Sequence, residues 1–222
     1  IAFGVLLSIG QKFASTLNDI GKSFGVIANR SGELRDNLLS SSVEATKLGG
    51  GISDVNSITS DLSANFGVSL DEASKLSAKV FDTSIALGLS AQEGASLFGV
   101  LKETANLSDI QAERLAESTF QLAAQVGVNP SVVMKDIAAS SEAIANFTKD
   151  GGDNIARAAI QARSLGVNLD TSAKIAEGLL DFESSITKEV EASVLIGRQL
   201  NLQKAREAAL SGDIAGAMQE VV

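Results

Sequence analysis

Short amphipathic stretches alternate along the chain with one recurring polar-apolar cassette: an apolar residue, Gly, an apolar residue, then Ser or Asn. It reads Phe66-Gly67-Val68-Ser69, Leu87-Gly88-Leu89-Ser90, Val126-Gly127-Val128-Asn129 and Leu165-Gly166-Val167-Asn168. Gly can take the left-handed conformation that ends a helix, and the apolar residue after it packs back on the last turn. Ser or Asn then caps the next helix by accepting from an orphan N–H. Glu72 and Glu93 stand where a capping box needs them, three residues after Ser69 and Ser90, and Pro130 sits at a first helical position. Ala105-Asn106-Leu107-Ser108 is the same cassette with Asn for Gly, with Gln111 completing the box behind Ser108. Gly88, Gly127 and Gly166 stand 39 residues apart, as do Gly67 and Asn106. That period belongs to arrays of helical hairpins. The second series lapses at Ala145, and its break falls later, at Asp150-Gly151-Gly152-Asp153.

The first stretch has a different order. Apolar positions step by three and four through Phe3, Leu6, Phe13, Leu17, Ile20, Phe24, Ile27, Leu34 and Leu38, with Gly10 and Ser31 interrupting. This is a heptad seam, and its 36 residues as one helix cover roughly 54 Å. Two readings stay open: an amphipathic helix lying on its own chain, or self-association in three or more strands. Leu48-Gly49-Gly50-Gly51 ends the seam as a hinge or linker. No Gly-Lys-Ser/Thr follows, so it does not read as a phosphate loop. Helices are expected near 54–65, 70–86, 91–105, 109–125, 130–148, 153–164, 169–200, 202–211 and 213–221. The chain therefore reads as all-α: a coiled-coil helix over 1–48, a glycine hinge over 49–53 and a helical-hairpin array over 54–222.

Charge separates these regions. The 222 residues carry a net charge of −9, while residues 1–51 come to +1, leaving −10 for the array. The chain has no His, Cys, Trp or Tyr. Without His it lacks the commonest general base, the usual zinc ligand and every Ser or Cys triad. Without Cys it has neither disulfides nor thiolate metal sites. An acidic chain poor in aromatics is ill suited to clamping nucleic acid by charge or stacking. The apolar run Ile1–Leu7 is far short of the ~18 residues that span a bilayer. Opening on Ile1 rather than Met, the sequence is expected to be a piece of a longer protein.

Candidate chemistry dissolves on inspection. Asp71 and Glu72 fall in a first helical turn, where negative charge offsets the dipole. Asp181, Glu183, Glu189 and Glu191 read as a solvated helical face, with no calcium loop beside them. Asp150-Gly151-Gly152-Asp153-Asn154 has oxygen ligands in a tight loop, but a turn before a helix start explains it. Asn106-Leu107-Ser108 and Asn146-Phe147-Thr148 match a glycosylation sequon, a pattern short enough to arise by chance. No catalytic residue, cofactor or metal is expected, and the chain does not read as an enzyme.

The most specific text is late in the chain. It runs Phe182-Glu183-Ser184-Ser185-Ile186, Glu189 to Leu195, and Gly197-Arg198-Gln199-Leu200-Asn201-Leu202 into Lys204-Ala205-Arg206-Glu207-Ala208-Ala209-Leu210-Ser211-Gly212-Asp213. This resembles the tail tape measure proteins of tailed bacteriophages, whose recurring segment is of the "GKQLNLEKARYAALTGD" type. The resemblance is specific over about 182–214 and looser over 52–181. One departure is Glu207, where an aromatic often follows the Arg. The resemblance implies a virion structural protein lying as parallel copies in the tail lumen, near the baseplate. It would set tail length during assembly, dock on tail tube and baseplate hub proteins, and leave ahead of DNA at genome ejection. Copies on an axis imply a homo-oligomer of three or six. No specific nucleic-acid binding is implied, and transient host membrane contact is admitted. The alternative is a membrane-active or pore-forming helical protein that aids genome passage through the host envelope. A fused lysozyme-like enzyme would need a paired acid and nucleophile, which the sequence does not offer.

Overall fold

In the computed structural model, residues Gln11, Ala14, Ser15, Asn18, Asp19 and 32–221 are described. Among them the chain is all-helical, with no strand. It divides into two compact units, residues 1–99 and 100–222. The seam positions Phe3, Leu6, Phe13, Leu17, Ile20, Phe24 and Ile27 lie outside the described residues.

The first unit contains α1 (Gly32–Lys47), α2 (Ile52–Phe66), α3 (Leu70–Ala86) and α4 (Ala91–Gly99). In α1, Leu34, Leu38, Ser41, Ser42 and Ala45 form one buried face, and the helix packs on both α2 and α3. The two described seam leucines are therefore spent inside their own chain. Polar groups fix the register of α1 on α3. The Ser41 hydroxyl donates to the Ser74 carbonyl at 2.7 Å, and the Asn37 amide donates to Asp71 at 2.8 Å. Lys75 bridges Asp71 at 2.7 Å and Glu33 at 3.1 Å.

The glycine run is an ordered corner. Gly49 is left-handed (φ +86°), and a Cβ on Gly50 would stand 2.2 Å from the Phe81 ring. The Asp54 carboxylate accepts from the Gly51 N–H at 2.9 Å and starts α2.

The second unit begins with a π-helical turn, Val100–Thr104. It continues with α5 (Asp109–Gln125), α6 (Pro130–Ala139), α7 (Ser141–Phe147), a 3₁₀ turn (Asp150–Gly152) and α8 (Asp153–Ser164). It closes with α9 (Leu169–Leu180), α10 (Phe182–Ile196), α11 (Gln203–Leu210) and α12 (Ile214–Val221). α8 is central, packing on α5, α6, α9 and α12. Its Ile155, Ala158, Ala159 and Ala162 are buried, small enough for close approach of neighbouring helices. Arg163 on α8 forks onto the Asp136 carboxylate of α6 through Nε and Nη2. Asp136 holds the guanidinium charged and pushes its pKa up.

Every cassette stops and starts a helix. Gly67, Gly88, Gly127 and Gly166 are left-handed, and so is Asn106 (φ 55°). Ser69, Ser90 and Ser108 accept from the N–H three residues on at 3.3, 3.2 and 3.4 Å. Asn129 and Asn168 do the same at 3.4 and 2.8 Å. The two 39-residue series close differently. Leu89, Val128 and Val167 donate five residues back, to Ser84, Ala123 and Ala162, at 2.8, 3.0 and 3.0 Å. Val68 and Leu107 donate six back, to Leu62 and Leu101, each at 3.2 Å.

Three expected helices are interrupted. The span 130–148 breaks at Ser140 (φ −108°, ψ 47°), whose backbone leaves the helical region between α6 and α7. The span 169–200 breaks at Asp181, whose carboxylate caps Ser184 N–H at 3.3 Å, and ends at left-handed Gly197. The span 91–105 turns π-helical from Val100.

A Gly127→Val substitution should cost more than ~1 kcal/mol, since a β-branched residue resists φ > 0. No atom lies within 4 Å of the added Cβ, so backbone strain alone would be read in denaturant melts. Truncation through residue 48 should destabilise the first unit, because it removes the buried Leu34 and Leu38. Thermal melts of the truncated and full chains check this.

Candidate interaction surface

α10 has its polarity reversed. Ser185 is its buried residue, while Phe182, Ile186, Val190 and Val194 stand 46, 50, 59 and 76% exposed. These four recur at i, i+4, so they form a single row along the helix. Leu195 and Ile196 extend the exposed apolar surface at the C-terminal end, and Leu210 of α11 is exposed as well.

Polar groups hold the inner face. Arg206 of α11 bridges Glu189 at 2.6 Å, with the two side chains only 11 and 16% exposed. The same guanidinium donates to the Ser185 hydroxyl at 3.1 Å. One turn on, the Ser193 hydroxyl accepts from the Leu200 N–H at 3.0 Å and ties the loop after Gly197 to the helix. Phe182, Ile186, Leu210, Glu207 and the Glu189–Arg206 pair line a groove of about 520 Å³.

The late motif itself builds this corner. Gly197 and Gly212 are left-handed stops, and Ala205 and Ala209 are the buried positions of α11. The Asp213 carboxylate caps α12 through the Gly216 N–H at 2.9 Å. Glu207, at the aromatic's position, is exposed and accepts from the Gln203 amide at 3.0 Å.

The remaining candidates have structural partners. Asp181 caps α10 and Glu189 pairs with Arg206, which leaves Glu183 and Glu191 on an exposed flank. Asn154, after the Asp150 turn, accepts from the Lys149 N–H at 2.9 Å and donates to the Phe147 carbonyl. Asn146 donates to Glu177 at 3.1 Å. Among the described residues, no group of three His, Cys, Asp or Glu is placed to hold a metal. Nor is any described helix long and apolar enough to cross a membrane.

Sequence reasoning placed residues 169–200 on one helix and so missed the outward row. The row is visible in the text, but an apolar i, i+4 row ordinarily marks a buried face. Compared with protein-family models, curated proteins and solved structures, the chain finds no match.

An Arg206→Ala substitution leaves the Glu189 carboxylate largely buried without its partner. It should cost about 2–3 kcal/mol, below the usual figure for a fully buried pair because both groups keep some solvent. Hydrogen exchange should rise across 182–200 while α6 and α8 stay protected. Unchanged exchange in α10 would show that the pair does not hold it.

Proposed function

We propose that the chain is a structural segment of a phage tail tape measure protein, lying in the tail lumen near the baseplate and docking on tube and hub proteins. One observation carries this reading: the resemblance of residues 182–214, centred on Gly197–Asp213. The cassette-punctuated helices and acidic charge of the array support it, because a lumen crossed by DNA is served by surfaces that do not retain phosphates. In this reading the N-terminal heptad helix leads into an array of helical hairpins. Three or six copies surround the axis, with Phe13, Ile20 and Phe24 facing inward. The seam's roughly 54 Å is far short of a tail, so this segment is not the whole ruler, and the Gly-punctuated array suits a docking end. It acts by position and is ejected ahead of the genome, with no catalytic step of its own.

The test is localisation in purified virions, joined to cross-linking between copies at Phe13, Ile20 and Phe24 after substitution by Cys. Residues 1–222 contain no Cys, so within this segment each cross-link is attributable to the introduced positions. Tail-tip labelling with three- or six-fold cross-linked species is expected. Detection only in the capsid, or only in the cytosol of infected cells, would remove the tape measure reading. Leakage of liposomes by the purified chain would favour the membrane-active alternative.

A further inference from the structure

We propose that the exposed face of α10 is a docking surface for one helix of a partner protein, an amphipathic helix whose apolar row is flanked by Lys or Arg. The apolar row Phe182, Ile186, Val190 and Val194 lies on the 15-residue helix and runs for about 18 Å of its length. Beside it runs a second i, i+4 row, Glu183, Thr187 and Glu191, all exposed. On the groove side the rim carries Glu207. Carboxylates thus border the apolar strip along one side and, through Glu207, beside Phe182 and Ile186 on the other. Lys188 lies on the opposite side of the helix by the 100° step, and Arg198 follows the helix end.

The charge pattern selects among occupants. An antiparallel second copy across a two-fold axis would set the Glu183–Glu191 row against itself. A lipid surface calls for Lys and Arg flanking the apolar face, and here the flank is acidic. A helix with basic flanks satisfies both strips at once. An i±4 ridge sits in the matching groove of a second helix at a crossing angle near −50°. The polar clamp beneath α10 lets the row stay outward without unfolding the unit.

The face is tested on the purified full chain, so its outcome is independent of where the protein sits in a virion. The probes are two labelled helical peptides of about four turns with the same Leu row, one flanked by Lys and one by Glu. Fluorescence anisotropy should show binding of the Lys-flanked peptide only, weakening as salt rises. Val190→Glu should weaken it about tenfold or more while circular dichroism stays unchanged. The double substitution Glu183→Lys with Glu191→Lys should reverse the preference toward the Glu-flanked peptide. Equal binding of the two peptides, or binding indifferent to Val190→Glu, overturns the proposal. So does a chain dimer dissolved by Val190→Glu in sedimentation, or Val190-dependent binding to phosphatidylglycerol vesicles in place of the peptide.

Discussion

A helix that stops inside a helical protein leaves its last carbonyls and the next helix's first N–H groups without partners, and this chain depends on solving that problem repeatedly. Its solution is a left-handed residue followed two positions later by a capping side chain. At Gly88, Gly127 and Gly166 the closing bond spans five residues; at Gly67 and Asn106 it spans six. Because the same few atoms close each helix, the chain reverses within a few residues and brings successive helices into contact. The cassettes expose their polar caps and turn their apolar residue inward. Val68, Leu89 and Leu107 are buried and Val128 and Val167 half-buried, while Ser69, Ser90 and Ser108 face solvent.

Close packing follows from the small residues between the stops. Ala73, Ser74, Ser77 and Ala78 face inward on α3, and the α8 alanines do so in the second unit. A Cβ on Gly94 would stand 1.6 Å from the Ser84 hydroxyl oxygen, so α3 and α4 meet through the absence of a side chain. Buried hydroxyls in such a core must find acceptors. Those of Thr59 and Ser77 reach carbonyls of their own helices at 2.8 Å, and Ser41 crosses to α3.

The stops were legible in the sequence because each is decided by residues within four positions of the glycine. Breaks decided by single polar residues were not. Asp181 could equally cap a helix or sit on a solvated face, and only the tertiary path shows that it caps. Gly197 was hidden because Arg198 and Gln199 follow it in place of an apolar residue and a cap. The heptad seam illustrates a different limit. A three-four spacing specifies a buried stripe but not its partner, and Leu34 and Leu38 find theirs in α2 and α3 of the same chain.

α10 separates two kinds of information in the late segment. Gly197, Ala205, Arg206, Ala209, Gly212 and Asp213 each have work inside the fold: stopping helices, filling the contact, pairing Glu189 and capping α12. A resemblance built on those residues is accounted for by the corner they make. Phe182, Ile186, Val190 and Val194 have no such account. Folding alone would be better served by polar residues there, because exposing a contiguous apolar row gains nothing for an isolated unit. The inner face shows the same logic in reverse, since Ser185 and Glu189 occupy positions where apolar side chains would strengthen the attachment. A helix held by a polar clamp, with its apolar residues outward, is arranged for contact with something beyond this chain's second unit. The corner and the row are adjacent but physically distinct. Substitutions in the first act through stability, and substitutions in the second act through association.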